Sequence, residues 1–337
     1  MKQTLIGFLT TCIVFLYTPI FGQIRQYYHK DPLALIEEQS KQVFNQAYSI
    51  LQRYPPSPKV LEERKMALFA LDGLYHDRRT DSLVILNQQF ASLMNRVIDS
   101  LKNPPHDNGI RIYKIYNHGF IIQTISVTIA IDLVRGSQFA TLSNDHIQEF
   151  ADLCDIILIS HKHSDHADSL VAEMFVKRGK NVVVPHDLWH GESKYYHHLR
   201  DSTQFFNFSD KKQLDVTAFP GHQGEVPNNI YLISLPEGLT VMHSGDQSNN
   251  NDLSWIKKIS QNYDVDILLA HCWMPNLKQA ITGIQPKLII TGHENELGHS
   301  IDHREPYWLT FQKFEEISTP SVIMAWGENF YYQSPQQ

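Results

Sequence analysis

Hydrophobic residues recur at two different periods along this chain, and the period changes near residue 110. Before that point the spacing is helical. Leu33, Ile36, Val43, Phe44, Ala47, Ile50, Leu51 and Tyr54 fall three or four residues apart, the stripe of an amphipathic helix. Pro55-Pro56-Ser57-Pro58 ends it, and Ser57 with Pro58 predicts the start of the next helix, over residues 60–74. A third helix is expected with Thr80 or Asp81 as its cap. Leu83, Leu86, Phe90, Leu93, Met94, Val97 and Leu101 would form its buried face, and Pro104-Pro105 closes it. No cluster of ligand-type side chains occurs in this stretch. It reads as a helical cap on a larger domain, or as one wall of a pocket.

From residue 110 the apolar runs are short and β-branched. Strands are predicted over residues 110–116, 120–124, 127–133, 156–159, 182–184, 216–219, 230–233, 240–242, 267–270, 288–290 and 322–325. Helical segments fall between several of them, at 170–178, 253–259 and 306–314. Periodicity alone gives a mixed α/β domain.

The chemistry sits where these strands end. The run Ile156 to Ile159 opens into Ser160-His161-Lys162-His163-Ser164-Asp165-His166. Neutral imidazole and carboxylate are the usual ligands of zinc and related cations. A helix would spread His161, His163, Asp165 and His166 around its circumference, whereas a tight loop can converge them. So many ligands so close together suggest two metals. Later strands end in Pro220-Gly221-His222, His243-Ser244-Gly245-Asp246 and Thr291-Gly292-His293. Each glycine is expected to take the unusual backbone angles of a sharp turn that aims the next residue into a common cleft.

This ordered set resembles the metallo-β-lactamase superfamily of metal-dependent hydrolases, whose pattern is H-x-H-x-D-H followed by a His, an Asp and a His. The resemblance covers roughly residues 110 to 330. It implies a four-layer αββα sandwich, here with an N-terminal helical extension. It also implies that His161, His163 and His222 hold a first metal, that Asp165, His166 and His293 hold a second, and that Asp246 bridges them. Asp132 matches a family position that often orients the ligand loops; as a strand-end turn residue it needs no such role. The layout is similar to the branch of L-ascorbate-6-phosphate lactonase and N-acyl-phosphatidylethanolamine phospholipase D. True β-lactamases commonly carry a cysteine where this chain has Asp246, so antibiotic hydrolysis is not expected.

Two divalent cations bring +4, and Asp165 and Asp246 offset about −2 of it. A water in that field loses its proton near neutral pH, against about 15.7 in bulk. The expected reaction is attack of a hydroxide held between two divalent metals, zinc being preferred, on an ester, lactone or phosphodiester. Asp165 is the expected proton carrier. His271, at the end of the 267–270 run, either stabilises an oxyanion or packs behind the site. His118 and His299 are further pocket candidates, and His299 competes with His293 as a ligand. His186, His190, His197 and His198 form a second histidine-rich region that lacks carboxylate ligands in strand-end context, and it is expected to be a surface or pocket-rim helix.

Composition narrows the surroundings. The chain has 337 residues, 42% of them apolar, and a net charge of −7. No basic run or stripe is present, so a nucleic-acid partner is not expected. A small-molecule substrate is expected, an anionic one included, since a metal cleft attracts anions locally. Residues 1–22 read as a secretory signal, with Lys2 before the apolar run from Leu5 to Ile20 and Gly22 at the cleavage point. That predicts a periplasmic or extracellular protein with no stable membrane span after signal removal; the alternative is an uncleaved membrane anchor. The expected division is a signal at 1–22, a helical extension at 23–105 and a catalytic domain at 106–337. Cys154 and Cys272 would remain, too few for a disulfide framework, and read as buried free thiols. Two other function classes fit the same residues: an iron-dependent oxidoreductase of this superfamily, told apart by its metal, and a non-catalytic binding protein, which would normally have lost ligands.

Overall fold

The computed structural model describes residues 31–81, 83–208 and 212–333. The export signal expected over residues 1–22 lies outside them. Among the described residues, no helix is long and apolar enough to cross a membrane.

Three helices come first: α1 (Pro32–Arg53), α2 (Glu62–Tyr75) and α3 (Val84–Leu101). Asp31 caps α1 by accepting from Leu33 N at 3.0 Å, with Pro32 in the first turn. The next two starts differ from expectation. Ser57 caps no helix; its hydroxyl accepts from Lys59 N in a local turn, and α2 begins later, at Glu62. Thr80 and Asp81 do not cap α3, which follows Leu83 without a side-chain cap. The Thr80 hydroxyl instead donates to Leu74 O, and the Asp81 carboxylate is drawn away by Arg304.

Two seven-stranded sheets follow. The first contains β1 (Ile110–Lys114), β2 (Phe120–Gln123), β3 (Thr128–Ile131), β6 (Ile156–Leu158), β7 (Asn181–Pro185), β8 (Tyr196–His198) and β16 (Asn329–Tyr332), in the order β16-β1-β2-β3-β6-β7-β8. The short pair β4 (Gly136–Ser137) and β5 (Ala140–Thr141) stands apart. The second sheet contains β9 (Ser202–Phe208), β10 (Lys212–Gln223), β11 (Val226–Ser234), β12 (Thr240–His243), β13 (Ile267–His271), β14 (Leu288–Gly292) and β15 (Ser321–Val322). Its order is β15-β14-β13-β12-β11-β10-β9. Ile112, Phe120, Ile122, Ile129, Ile131 and Leu158 face Val216, Tyr231, Ile233, Val241, Leu269 and Ile290 in the core between the sheets.

Helices cover both outer faces. The first sheet packs on α1–α3, α4 (Asn144–Leu153) and α5 (Ser169–Lys177), through Phe44, Leu68, Phe90, Met94, Phe150 and Phe175. The second packs on α6 (Leu253–Ile256), α7 (Leu277–Ile284) and part of α8 (Tyr307–Glu315), through Ile256, Ile281, Ile284 and Phe314. These are the four expected layers, αββα, with the N-terminal helices packed onto one of them. Several elements were not expected, the strands β4, β5, β8 and β9 among them. A reciprocal Ser143–His146 capping box starts α4, α7 fills the link before β14, and β16 pairs antiparallel with β1. The strand expected over 322–325 is instead Ser321–Val322, because of the expected residues only Val322 pairs with β14.

The N-terminal helices and the outer face of the first sheet share one continuous core. Buried polar bonds cross it. Arg64 of α2 forms a two-pronged pair with Glu328, at 2.8 and 2.5 Å, and also donates to Ile323 O. Tyr48 of α1 donates to Trp326 O at 3.0 Å. Asp72 of α2 accepts from Asn295 Nδ2, Tyr307 N and Trp308 N at 2.8–3.0 Å. Burial, outweighing those donors, pushes its carboxyl up to about 6.

Replacing Arg64 with Met strands the Glu328 carboxylate in the interior, and about 3–5 kcal/mol of stability should be lost in denaturant titration. Asp72 has a pH signature. Its folded pKa lies above its ordinary value, so its contribution is fully present below about pH 4 and is lost as pH rises through about 6. The stability advantage of wild type over Asp72→Asn should therefore narrow by about 1 kcal/mol between about pH 5 and pH 8.

Candidate metal centre

The cleft opens where the carboxyl ends of β3, β6, β12, β13 and β14 meet the loop after β1. Backbone there is forced into left-handed conformations: φ is 52° at Asn117, 47° at Asp132, 49° at Gly245 and 75° at His293. Of the three glycines before expected ligands, only Gly245 has positive φ. Gly221 and Gly292 are needed for space. A Cβ on Gly221 would lie 2.5 Å from Gln247 Oε1, and one on Gly292 would enter the His118 ring. At the β14 turn the strained residue is the expected ligand itself, His293.

Four expected ligands converge. One ligand atom from each of Asp165, His166, Asp246 and His293 lies within 4.8 Å of the others. His166 Nε2 is 3.3 Å from Asp165 Oδ2 and 3.2 Å from Asp246 Oδ1. His293 Nε2 is 3.4 Å from Asp165 Oδ2 and 3.2 Å from Asp246 Oδ2. Both nitrogens and Asp246 Oδ1 are buried yet make no hydrogen bond of acceptable geometry. Buried polar atoms that converge without bonding one another are what a cation site requires, so the residues present fit a divalent metal.

The other three are more loosely grouped. His161 Nε2 is 3.2 Å from His163 Nδ1 and 3.9 Å from Asp246 Oδ2. His222 stays outside the four-residue cluster, with 32% of its side chain exposed. Its Nδ1 donates to Asp252 at 3.1 Å, leaving Nε2 free, and its backbone N–H is held by Gln247 Oε1 at 2.8 Å.

Asp132 lies directly behind the cluster. Its Oδ2 accepts from His166 Nδ1 at 2.8 Å, and the carboxylate also takes Ser160 N and Oγ at 2.7 and 2.6 Å. It therefore fixes the His166 tautomer and the exit of the histidine loop together. Asn117 Nδ2 donates to Asp165 Oδ2 at 2.9 Å, and Gln223 Nε2 to Asp246 Oδ2 at 3.0 Å. Sequence reasoning missed Asn117, Gln223, Gln247 and Asp252. The one available signal was adjacency: Asn117 precedes His118, Gln223 follows His222 and Gln247 follows Asp246.

His271 lies at the site with both ring nitrogens unpaired, Nε2 being 3.8 Å from Asp246 Oδ1. His118 sits one layer deeper, its ring 4.3 Å from His243, with its Nε2 3.4 Å from Ser244 Oγ. His243 turns away from Asp246 and donates to His118 O at 3.0 Å. His299 is at the rim, its ring 5.8 Å from His293. The unforeseen Trp273 stands beside it, 5.6 Å from the His293 ring. In the second histidine-rich region, ring separations of 5.9 and 6.4 Å link His186, His190 and His197, and the region is a turn leading into β8 rather than the expected helix, because its end pairs with β7. Among the described residues, the Asp165 cluster is the one group arranged to hold a metal. Cys154 and Cys272 are buried free thiols.

The electrostatics divide the histidines. Burial opposes charge on His166 and His293, but the surrounding carboxylates, Asp246 foremost, outweigh it. Both are held above the usual range, His293 at about 10. Burial wins at His161 and His271, each pushed down to about 3 and so neutral. Burial, then the nearby Asp165 carboxylate, raises the Glu296 carboxyl to about 7.

Asp132→Asn removes the charge behind His166 with little change of shape. Zinc affinity, measured by competition with a chromogenic chelator, should fall about 10- to 100-fold. Unchanged affinity would reduce Asp132 to a turn residue.

Comparison with known proteins agrees with this geometry. Residues 111–293 match the β-lactamase superfamily domain. None of the curated proteins matches the sequence significantly. A metallo-hydrolase of the hyperthermophilic archaeon Ignicoccus hospitalis KIN4/I shares the fold at 18% identity and TM-score 0.55, over 67% of this chain and 100% of its own. An isothiocyanate hydrolase from Delia radicum gut bacteria does so at 14% identity and TM-score 0.51, over 66% of this chain and 99% of its own. The chain belongs to the β-lactamase superfamily.

Proposed function

We propose that this protein is an exported hydrolase working with two divalent cations, zinc in preference, on an ester, lactone or phosphodiester. The observation that carries the reading is the convergence of buried, unbonded nitrogen and oxygen atoms from Asp165, His166, Asp246 and His293. Asp165, His166 and His293 would hold one cation and His161, His163 and His222 the other, with Asp246 between them. Divalent metal in such a site supplies a Lewis acid and an acidified water. The chain's own groups do the rest. Asp132, Asn117 and Gln223 hold His166, Asp165 and Asp246 in their rotamers. Asp165, 20% exposed, is the carboxylate open to the cleft and carries the proton. His271, neutral and unpaired, donates to the oxyanion that develops on the substrate.

The substrate class follows the lactonase and phospholipase D branch that the ligand order resembles. Export rests on the apolar segment from Leu5 to Ile20. The helical extension over 23–105 and the catalytic part over 106–337 act as one unit, as their shared core suggests.

Elemental analysis of the purified chain should find close to two zinc, falling in His163→Ala. His271→Ala should keep its zinc and lose about 10²–10³ in kcat on a panel of aryl esters, lactones and bis(p-nitrophenyl) phosphate. Stoichiometric iron without hydrolysis of any of them would sink the hydrolase reading.

A further inference from the structure

His293 stands in a turn that its own backbone disfavours. His293 and Asn295 are both left-handed, at φ 75° and 57°, a conformation that persists in non-glycine residues only where neighbours over-determine it. Several fastenings come from the catalytic part of the chain. His293 N donates to Asn117 O at 3.1 Å, and Asn295 N to Glu305 O at 2.9 Å. Glu294 forms a fully buried ion pair with Lys114. Tyr116 OH donates to Glu296 and accepts from Leu297 N.

One further fastening comes from the N-terminal helices. Asn295 Nδ2 donates to Asp72 Oδ1 at 2.9 Å, across 223 positions of sequence. The same carboxylate takes Tyr307 N and Trp308 N, at the start of α8. The far end of the segment is gripped from the same side. Arg304 donates to Tyr75 O at 2.6 Å and to both oxygens of Asp81, while bonding Leu297 O and His299 O within its own loop. The stretch 72–81 thus holds both ends of the loop that carries His293.

We propose that Asp72 is a positioning residue for the metal centre. Through Asn295 it fixes the left-handed turn that points His293 Nε2 at Asp165 and Asp246. The inference rests on His293 being a metal ligand. The helical extension is then part of the metal centre while contributing no ligand to it. The competing role for Asp72 is simple docking of α2 against α8, which would cost stability without touching one cation more than the other.

The full chain separates these, with zinc as the probe. Asp72→Asn is compared with Leu68→Ala, a buried core position on the same helix with no bond to the loop. Zinc stoichiometry, stepwise affinity by chelator competition and thermal midpoint are measured for each. Asp72→Asn should bind one of the two zinc about 10-fold or more weakly and leave the other unchanged. Leu68→Ala should lower the midpoint and leave both affinities unchanged. Asn295→Ala breaks the same bond from the loop side and should repeat the selective loss, including where Asp72→Asn does not fold. Wild-type affinities in Asn295→Ala, or equal weakening in Leu68→Ala, would overturn the proposal. Two zinc retained in His293→Ala would instead remove the ligand assignment, and the proposal with it. That failure is distinguishable because it needs no change at Asp72.

Discussion

One imidazole meets three carboxylates at the centre of this molecule. His166 has Asp132 on one nitrogen and Asp165 and Asp246 on the other, and the ring is fully buried. Three negative charges cannot share a dry space around one ring without compensation. In the chain alone, protons on His166 and His293 supply it, which is why both are held so basic. Cations would supply it better, displacing those protons as they bind. Much of the surrounding construction serves this concentration of charge: the left-handed turns at Asn117, Asp132 and His293, the glycines that yield space, and the amides that hold each carboxylate.

Separate strands can meet at such a point because of the sheet topology. β3, β6 and β7 run parallel in one sheet, and β12 to β15 in the other. Parallel strands bring their carboxyl ends to one edge. Loops from the two sheets then face each other across the inter-sheet core, and residues as distant as Asp132 and His293 become neighbours.

Much of this was legible in the chain. Ligand types clustered after apolar runs, and those runs became strands whose ends meet. The helices were legible as periods, but their starts were not. Ser57, Thr80 and Asp81 had the chemistry of caps, and tertiary partners or local turns claimed them instead. The supports of the site were illegible for a related reason. Asn117, Gln223 and Asp252 are ordinary polar residues whose meaning comes only from what the fold sets beside them. The glycine argument needed correcting at two positions of three, since a sequence shows that room is needed without showing whether angle or volume demands it.

The longest ties in the structure join its first helices to its last strand region. Tyr48 reaches Trp326 and Arg64 reaches Glu328, across 278 and 264 positions. The partners that hold the buried polar groups of α1 and α2 lie beyond nearly all the strands in sequence. A contact between residues so far apart in sequence carries a larger loop-closure cost than the local contacts within the helices. Ties of that span raise the contact order, which slows folding and favours partly closed states before the helices lock onto the sheet.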